Sequence, residues 1–153
     1  MRLVVGGDHA GYRLKAVVVH ALREWGHAVE DVGAHGPDPV DFPDIAWDVC
    51  TAVRAGRADR GLIVCGTGVG ACIAANKVPG IRAALRHDAL SAHQCVEHDD
   101  VNVLALGARV IGVAIAADLV RAFADAEFSG EERHVRRLAK VAAIERDGLD
   151  AAS

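Results

Sequence analysis

Short apolar runs that stop at glycine alternate, along this chain, with longer stretches in which apolar residues recur every three or four positions. Leu3 to Gly6 is the first run; it meets Gly7-Asp8-His9-Ala10-Gly11 before Leu14, Val17, Val18, Ala21, Leu22 and Trp25 fall at helical spacing. Gly26 closes that helix, and Ala28 to Val32 reads as a second strand before a loop rich in Gly, Pro and Asp from Gly33 to Asp44. Pro43 suits a helix start, Ala46, Val49, Cys50 and Val53 its buried stripe, and Gly56 its end. Leu62 to Cys65 is a third strand, and a glycine-rich loop then opens a helix from Val69 to Asn76. Pro79-Gly80 turns the chain into a fourth strand, Ile81 to Leu85; Ala89 to Glu97 is helical, and Val103 to Leu106 is a fifth strand backed by Gly107. Ile115, Leu119, Ala122, Phe123 and Ala126 mark a further helix, and the last runs from Glu131 to about Arg146 with Leu138, Val141 and Ala142 inward. Strand and helix alternate throughout, which predicts an α/β fold with a parallel sheet covered on both faces.

Composition narrows this further. A chain of 153 residues suits one domain, expected to span 1–153. With 52% hydrophobic but only 4% aromatic residues, the core must be built from Val, Ala, Leu and Ile, as suits helices packed on a parallel sheet. The net charge of −4 argues against a nucleic-acid partner. No stretch is long and apolar enough to span a bilayer, and the N-terminus has neither the apolar segment nor the cleavage site of a signal peptide, so a cytoplasmic protein with no membrane partner is expected. Cys50, Cys65, Cys72 and Cys95 lack the paired short spacing of zinc sites or redox dithiols, so reduced thiols are expected.

Chemistry is most concentrated at residues 61 to 71, Gly-Leu-Ile-Val-Cys-Gly-Thr-Gly-Val-Gly-Ala. A strand ending at Cys65 delivers its last side chain to the carboxyl edge of the sheet, beyond which ligands bind in such folds. The loop amides, opening a helix at Val69, would point partial positive charge at whatever lies in front of them and favour thiolate over thiol at Cys65. Thr67 adds a hydroxyl. Most buried cysteines are chemically inert, but alternating glycines at Gly66, Gly68 and Gly70 cost backbone entropy that a structural turn seldom requires. Neither nucleotide-binding loop pattern fits: the dinucleotide fingerprint needs its third glycine one residue later, and the phosphate loop needs a Lys followed by Ser or Thr where Ala71 and Cys72 stand.

The loops after successive strands share one sheet edge, which would bring Asp8-His9, Cys65 to Gly70, Arg86-His87-Asp88 and Gly107-Ala108-Arg109 together. Asp8 is equally suited to folding a turn or capping a helix, and His87-Asp88 to capping the helix that begins near Ala89. In Glu97-His98-Asp99-Asp100-Val101-Asn102, a solvated loop is the plain reading. A metal held by His98 with Asp99 or Asp100 lacks a second histidine at ligand spacing, whereas proton transfer suits the titration range of His98. Arg133 and Arg137 stand one helical turn apart, either as a charged outer face or as a fork for a phosphate.

Taken together, Gly7-Asp8-His9-Ala10-Gly11, Asp41-Phe42-Pro43-Asp44, Cys65-Gly66-Thr67-Gly68-Val69-Gly70, Ala74-Ala75-Asn76-Lys77, Gly80-Ile81-Arg82-Ala83, Asn102-Val103-Leu104, Gly107-Ala108-Arg109 and Arg133-His134 resemble the ribose-5-phosphate isomerase B family, which includes galactose-6-phosphate and allose-6-phosphate isomerases. The motifs run in order over nearly the whole chain. The resemblance implies a three-layer Rossmann-like fold with a five-stranded parallel sheet flanked by helices. It also implies an aldose-ketose isomerase with no metal and no cofactor, forming a homodimer or a tetramer whose sites borrow residues from both subunits.

By position, Cys65 would be the base that moves a proton between two carbons. Some members carry a glutamate just after the glycine loop, where this chain has Ala71. Thr67 and the amides of Gly66, Gly68 and Gly70 would hold the enediolate oxygens. His98 would assist ring opening, and Asp8 and His9 would bind sugar hydroxyls. Arg133, Arg137 and Arg109, the last from the partner subunit, would grip the phosphate. Asp99 stands where many members carry asparagine, replacing an amide that can donate by a carboxylate that only accepts, which leaves the sugar open.

The expected reaction is interconversion of ribose 5-phosphate and ribulose 5-phosphate through an enediol. Its rivals are the same chemistry on allose 6-phosphate, galactose 6-phosphate or a tetrose phosphate, a non-catalytic phosphate-binding module, and a thiol-based redox or acyl-transfer enzyme.

Overall fold

A computed structural model of the chain describes residues 1–148. Five parallel strands form one sheet in the order β2-β1-β3-β5-β4: β1 (Arg2–Gly7), β2 (Ala28–Gly33), β3 (Arg60–Cys65), β4 (Ala83–Leu85) and β5 (Val103–Gly107). Between and after them lie α1 (Tyr12–Glu24), α2 (Phe42–Arg54), α3 (Val69–Ala75), α4 (Ala89–Asp99), α5 (Val113–Asp125) and α6 (Glu132–Asp147). The two-residue alternation of the strands divides the core in two. Leu3, Val5, Leu62, Val64, Leu104 and Leu106 meet α1, α4 and α5 on one face. Val4, Ile63, Cys65 and Val103 meet α2 and α3 on the other. The three layers of the Rossmann-like α/β fold follow from this split.

Two polar contacts brace the layers. Lys15, only 1% exposed on α1, holds Asp31 of β2 at 2.5 Å, so the buried ammonium is charge-paired rather than bare. Arg60, at the start of β3, donates to the carbonyls of Phe123 and Ala126 around the end of α5. Withdrawal from water lowers the pKa of that guanidinium.

Three sequence expectations are corrected. The fourth strand begins at Ala83 rather than Ile81, because Ile81 N–H closes a turn on Val78 O and Arg82 N–H is taken by the Asn102 side chain. Ile115 does not join the buried stripe of α5: it is 49% exposed, while Ala116, Leu119, Val120 and Phe123 face the sheet. On α6 the expected inward residues Leu138, Val141 and Ala142 are not in the core. Leu138 is only partly buried, Val141 and Ala142 are exposed, and His134 is the helix's one buried residue. The apolar side of α6 borders an open cleft of about 620 Å³ instead of a packed neighbour.

Candidate active site

β1 and β3 are neighbours in the sheet, yet the helices that follow them, α1 and α3, leave to opposite faces. A crevice opens at such a switch point, beyond the carboxyl ends of the two strands. Asp8, His9, Ala10, Phe42, Cys65, Gly66, Thr67, Gly70 and Arg109 line a cleft of about 240 Å³ there. This volume suits a small polar molecule.

Its floor is main chain. Gly11 lies so close to β3 that a Cβ would sit 2.0 Å from Val64 O, and Asp8 N–H donates to the same carbonyl at 3.2 Å. Asp8, 7% exposed, uses Oδ1 to accept the N–H groups of Ala10 and Gly11, both at 3.0 Å. The turn reading of Asp8 therefore applies, and the N-cap of α1 is Gly11 without a side-chain cap. From the other side, Ala108 N–H and Arg109 N–H donate to Cys65 O and Gly66 O at 2.8 and 2.9 Å, so the loop after β5 is fastened to the cysteine loop.

Cys65 is the last residue of β3 and 6% exposed. Gly68, left-handed at φ 81° and N-cap of α3, turns its N–H onto Cys65 Sγ at 3.2 Å, so that a main-chain donor is aimed at the sulfur. Burial pushes the other thiols up, Cys50 to about 11 and Cys72 and Cys95 in the same direction, leaving these three protonated at neutral pH. Thr67 is exposed at the cleft mouth, and its Oγ1 accepts from Val69 N–H at 3.4 Å. Gly70 lies under the Phe42 ring, which a Cβ would meet at 2.7 Å. The Arg109 guanidinium covers Gly66, its Nη1 lying 3.3 Å from where a Cβ would stand. This Arg109 belongs to the same chain as Cys65. His9 reaches the loop before α2, where its Nδ1 accepts Val40 N–H at 3.2 Å.

Among the expected site residues, His98, Asp99, Arg133 and Arg137 do not line this cleft. They gather where α6 meets the last turn of α4. The His98 ring lies 4.3 Å from that of His134, tilted by 32°. His134 is 2% exposed, with Nδ1 2.7 Å from Ser129 Oγ, and Ser129 N–H in turn donates to Glu97 O. Arg133 is occupied by Glu131 at 2.8 Å, whereas Arg137 is exposed and makes no ion pair among the described residues. Asp99 borders the 620 Å³ cleft beside α6. Arg86-His87-Asp88 is a third locality: Asp88 caps α4, accepting Ser91 N–H at 2.8 Å, and the Ser91 hydroxyl and amide hold its carboxyl below the usual range. Among the described residues no group of three or more His, Cys, Asp and Glu is arranged to hold a metal.

Sequence reasoning missed two groups that matter. Val40 sits in an aperiodic loop and contributes through its backbone, for which no side-chain pattern exists. His134 enters the sequence reading only through the Arg133-His134 motif, because a lone histidine on a helix that hardly docks gives no sign that it is buried.

Residues 3–141 match the family model described as ribose/galactose isomerase. The chain is 42% identical over 144 residues to the ribose-5-phosphate isomerase B of Escherichia coli, covering 94% of this chain and 96% of that protein. It is 41% identical over 132 residues to a D-erythrulose-4-phosphate isomerase of Pectobacterium atrosepticum, covering 85% and 86%. Among solved structures, ribose-5-phosphate isomerase B of Clostridium thermocellum superposes with a TM-score of 0.93 at 46% identity, over 96% of this chain and 99% of that one. The enzyme of Mycoplasma genitalium, solved with bound ribulose 5-phosphate, superposes with a TM-score of 0.89 at 36% identity, over 95% and 97%.

Proposed function

Since the chain belongs to the ribose/galactose isomerase family and is a sugar-phosphate isomerase, we propose that it interconverts ribose 5-phosphate and ribulose 5-phosphate by cysteine-mediated proton transfer. The observation that carries this reading is Cys65 Sγ at the switch-point cleft, with a main-chain N–H at 3.2 Å and no competing base at position 71, which is Ala71. Cys65 thiolate takes the proton from the carbon beside the carbonyl, giving an enediolate, and the resulting thiol returns it to the neighbouring carbon. A second proton moves between the two oxygens, so substrate and product are isomers. Charge grows on those oxygens as the first proton leaves. Thr67 and the glycine-loop amides are the donors placed beside Cys65 to meet it.

The phosphate and ring-opening groups come from a second copy of the chain. His98, Arg133 and Arg137 stand outside the cleft in their own chain, and the apolar side of α6 is uncovered. In a homodimer the partner's helix would close the cleft with cations, and Arg109 of the cleft's own chain would add a third. As a phosphorylated sugar is the substrate, the protein acts in the cytoplasm.

A four-carbon sugar phosphate is the second reading, favoured by the near-equal identity to the erythrulose-4-phosphate enzyme. The test is incubation in deuterated water with pentose, tetrose and hexose phosphates in turn. Deuterium should enter at the carbon beside the carbonyl, fastest with ribose or ribulose 5-phosphate. Tightly bound phosphates with no exchange would mean a binding module, and faster exchange with a tetrose phosphate would move the assignment to the second reading.

A further inference from the structure

The loop between β2 and α2 returns to the cleft at one point. Ala34 N–H is anchored on Gly7 O at 2.8 Å, the chain passes Gly36, Pro37 and Pro39, and Val40 N–H then donates to His9 Nδ1 at 3.2 Å. Two residues later α2 begins with Phe42, which walls the same cleft. His9 is thus held between its own turn, folded by Asp8 Oδ1, and a main-chain donor from a different segment.

A backbone amide always carries its hydrogen. A ring nitrogen that accepts it must present a lone pair, so Nδ1 is unprotonated, and the imidazole hydrogen is on Nε2. An imidazolium would set two N–H groups against each other across 3.2 Å and forfeit the bond. From this geometry we propose that Val40 N–H locks His9 in the neutral Nε2–H tautomer, making His9 a fixed hydrogen-bond donor to a substrate oxygen and removing it as a proton-accepting base. The only ring lone pair of the neutral imidazole is consumed by the loop, so a carbon-bound proton in the cleft does not have His9 as its acceptor. Val40 is a positioning residue: it sets the tautomer without reaching the substrate. The identity of the oxygen, a hydroxyl or carbonyl of a sugar phosphate, rests on the isomerase reading; the tautomer does not.

The test has an arm for each. Long-range proton-nitrogen correlation on nitrogen-15-labelled protein at neutral pH, with His9 assigned by its loss in His9→Gln, should show an unprotonated Nδ1 and a protonated Nε2. In Val40→Pro, which deletes the one N–H concerned, the His9 signals should move to averaged tautomers. A His9 that is an imidazolium or carries its hydrogen on Nδ1 overturns the proposal, as does an unchanged His9 spectrum in folded Val40→Pro. Should that variant not fold, the wild-type spectrum decides. For the substrate contact, Gln places an amide N–H near the position of Nε2, whereas Asn ends near Nδ1. His9→Gln should retain kcat/KM for the preferred sugar phosphate within about 10-fold and His9→Asn should lose about 100-fold. Equal losses, or the reverse order, overturn the donor role. If no sugar phosphate is turned over, the isomerase reading fails, and the spectra alone decide whether the lock exists.

Discussion

The cysteine cleft and the far ends of α4 and α6 are built by opposite means. In the cleft, main chain packs on main chain: Gly11 against Val64 O, Gly107 against Thr67 O, where a Cβ would approach to 2.7 Å, and Ala108 and Arg109 amides on the carbonyls of the cysteine loop. Positions fixed this way move only if the sheet moves. At the α4 and α6 ends the placement depends on side chains, with His98 on His134, Arg133 on Glu131, and Arg137 extending into solvent. Proton transfer tolerates little misplacement of the acceptor, whereas a phosphate dianion is held by charge at the end of flexible stems. The contrast teaches that the cleft proposed to move the proton is framed by one chain's own backbone, while the groups proposed to grip the phosphate stand outside it on side chains.

The largest effect should come from Cys65→Ala, which removes the proposed proton acceptor and leaves the main-chain frame untouched. kcat should fall about 1,000-fold or more with circular dichroism and phosphate affinity nearly unchanged. Survival of more than about a tenth of the activity would break the division at its centre. Next, Arg137→Ala should lower kcat/KM for the phosphorylated sugar by about 30-fold, through loss of one charge-assisted bond, and scarcely alter any turnover of free ribose. Mixing the two variants sharpens the comparison. If each cleft is completed by its partner, mixed dimers hold one site with both groups intact, and an equimolar mixture after subunit exchange should recover about a quarter of wild-type activity. No recovery would place both groups in the same chain's site.

Smaller changes should follow at the α4 and α6 ends. His134→Ala removes the buried ring on which His98 rests; we expect about a 5-fold loss in kcat/KM and a lowered melting temperature, with deuterium exchange from the open-chain ketose least affected. Equal damage to exchange from ring-closed and open substrates would place His98 in the proton transfer itself. The smallest effect is expected from Asp99→Asn, which restores an amide donor and should change the ratio of tetrose to pentose phosphate turnover only a few-fold, checked by competition between the two substrates.

How much could be read from the sequence follows the same division. β1, β3 and β5 were legible because each is a continuous apolar run stopped by glycine, and the cleft was legible because consecutive strand ends must share an edge. α6 was legible as a helix but not as a packed one: Leu138, Val141 and Ala142 form a stripe, and periodicity does not say whether its cover lies in the same molecule. β4 lost its first two residues to a turn and to the Asn102 side chain, a competition decided by tertiary contacts. Val40 was invisible for a different reason, since its contribution is an amide hydrogen that nineteen of the twenty residue types would supply equally.

The spacing of Arg133 and Arg137 has a metric consequence. At 1.5 Å of rise per residue the two side chains leave α6 about 6 Å apart along its axis. An extended chain of single bonds lengthens by only about 1.2 Å per bond, so the phosphates of four-, five- and six-carbon sugars, aligned at their carbonyl ends, differ in position by less than that interval. In the proposed dimer the helix is a ruler with marks coarser than the lengths to be measured. In that arrangement the two arginines alone would not count carbons, in keeping with relatives of near-equal identity to this chain that are named for a five-carbon and a four-carbon sugar phosphate.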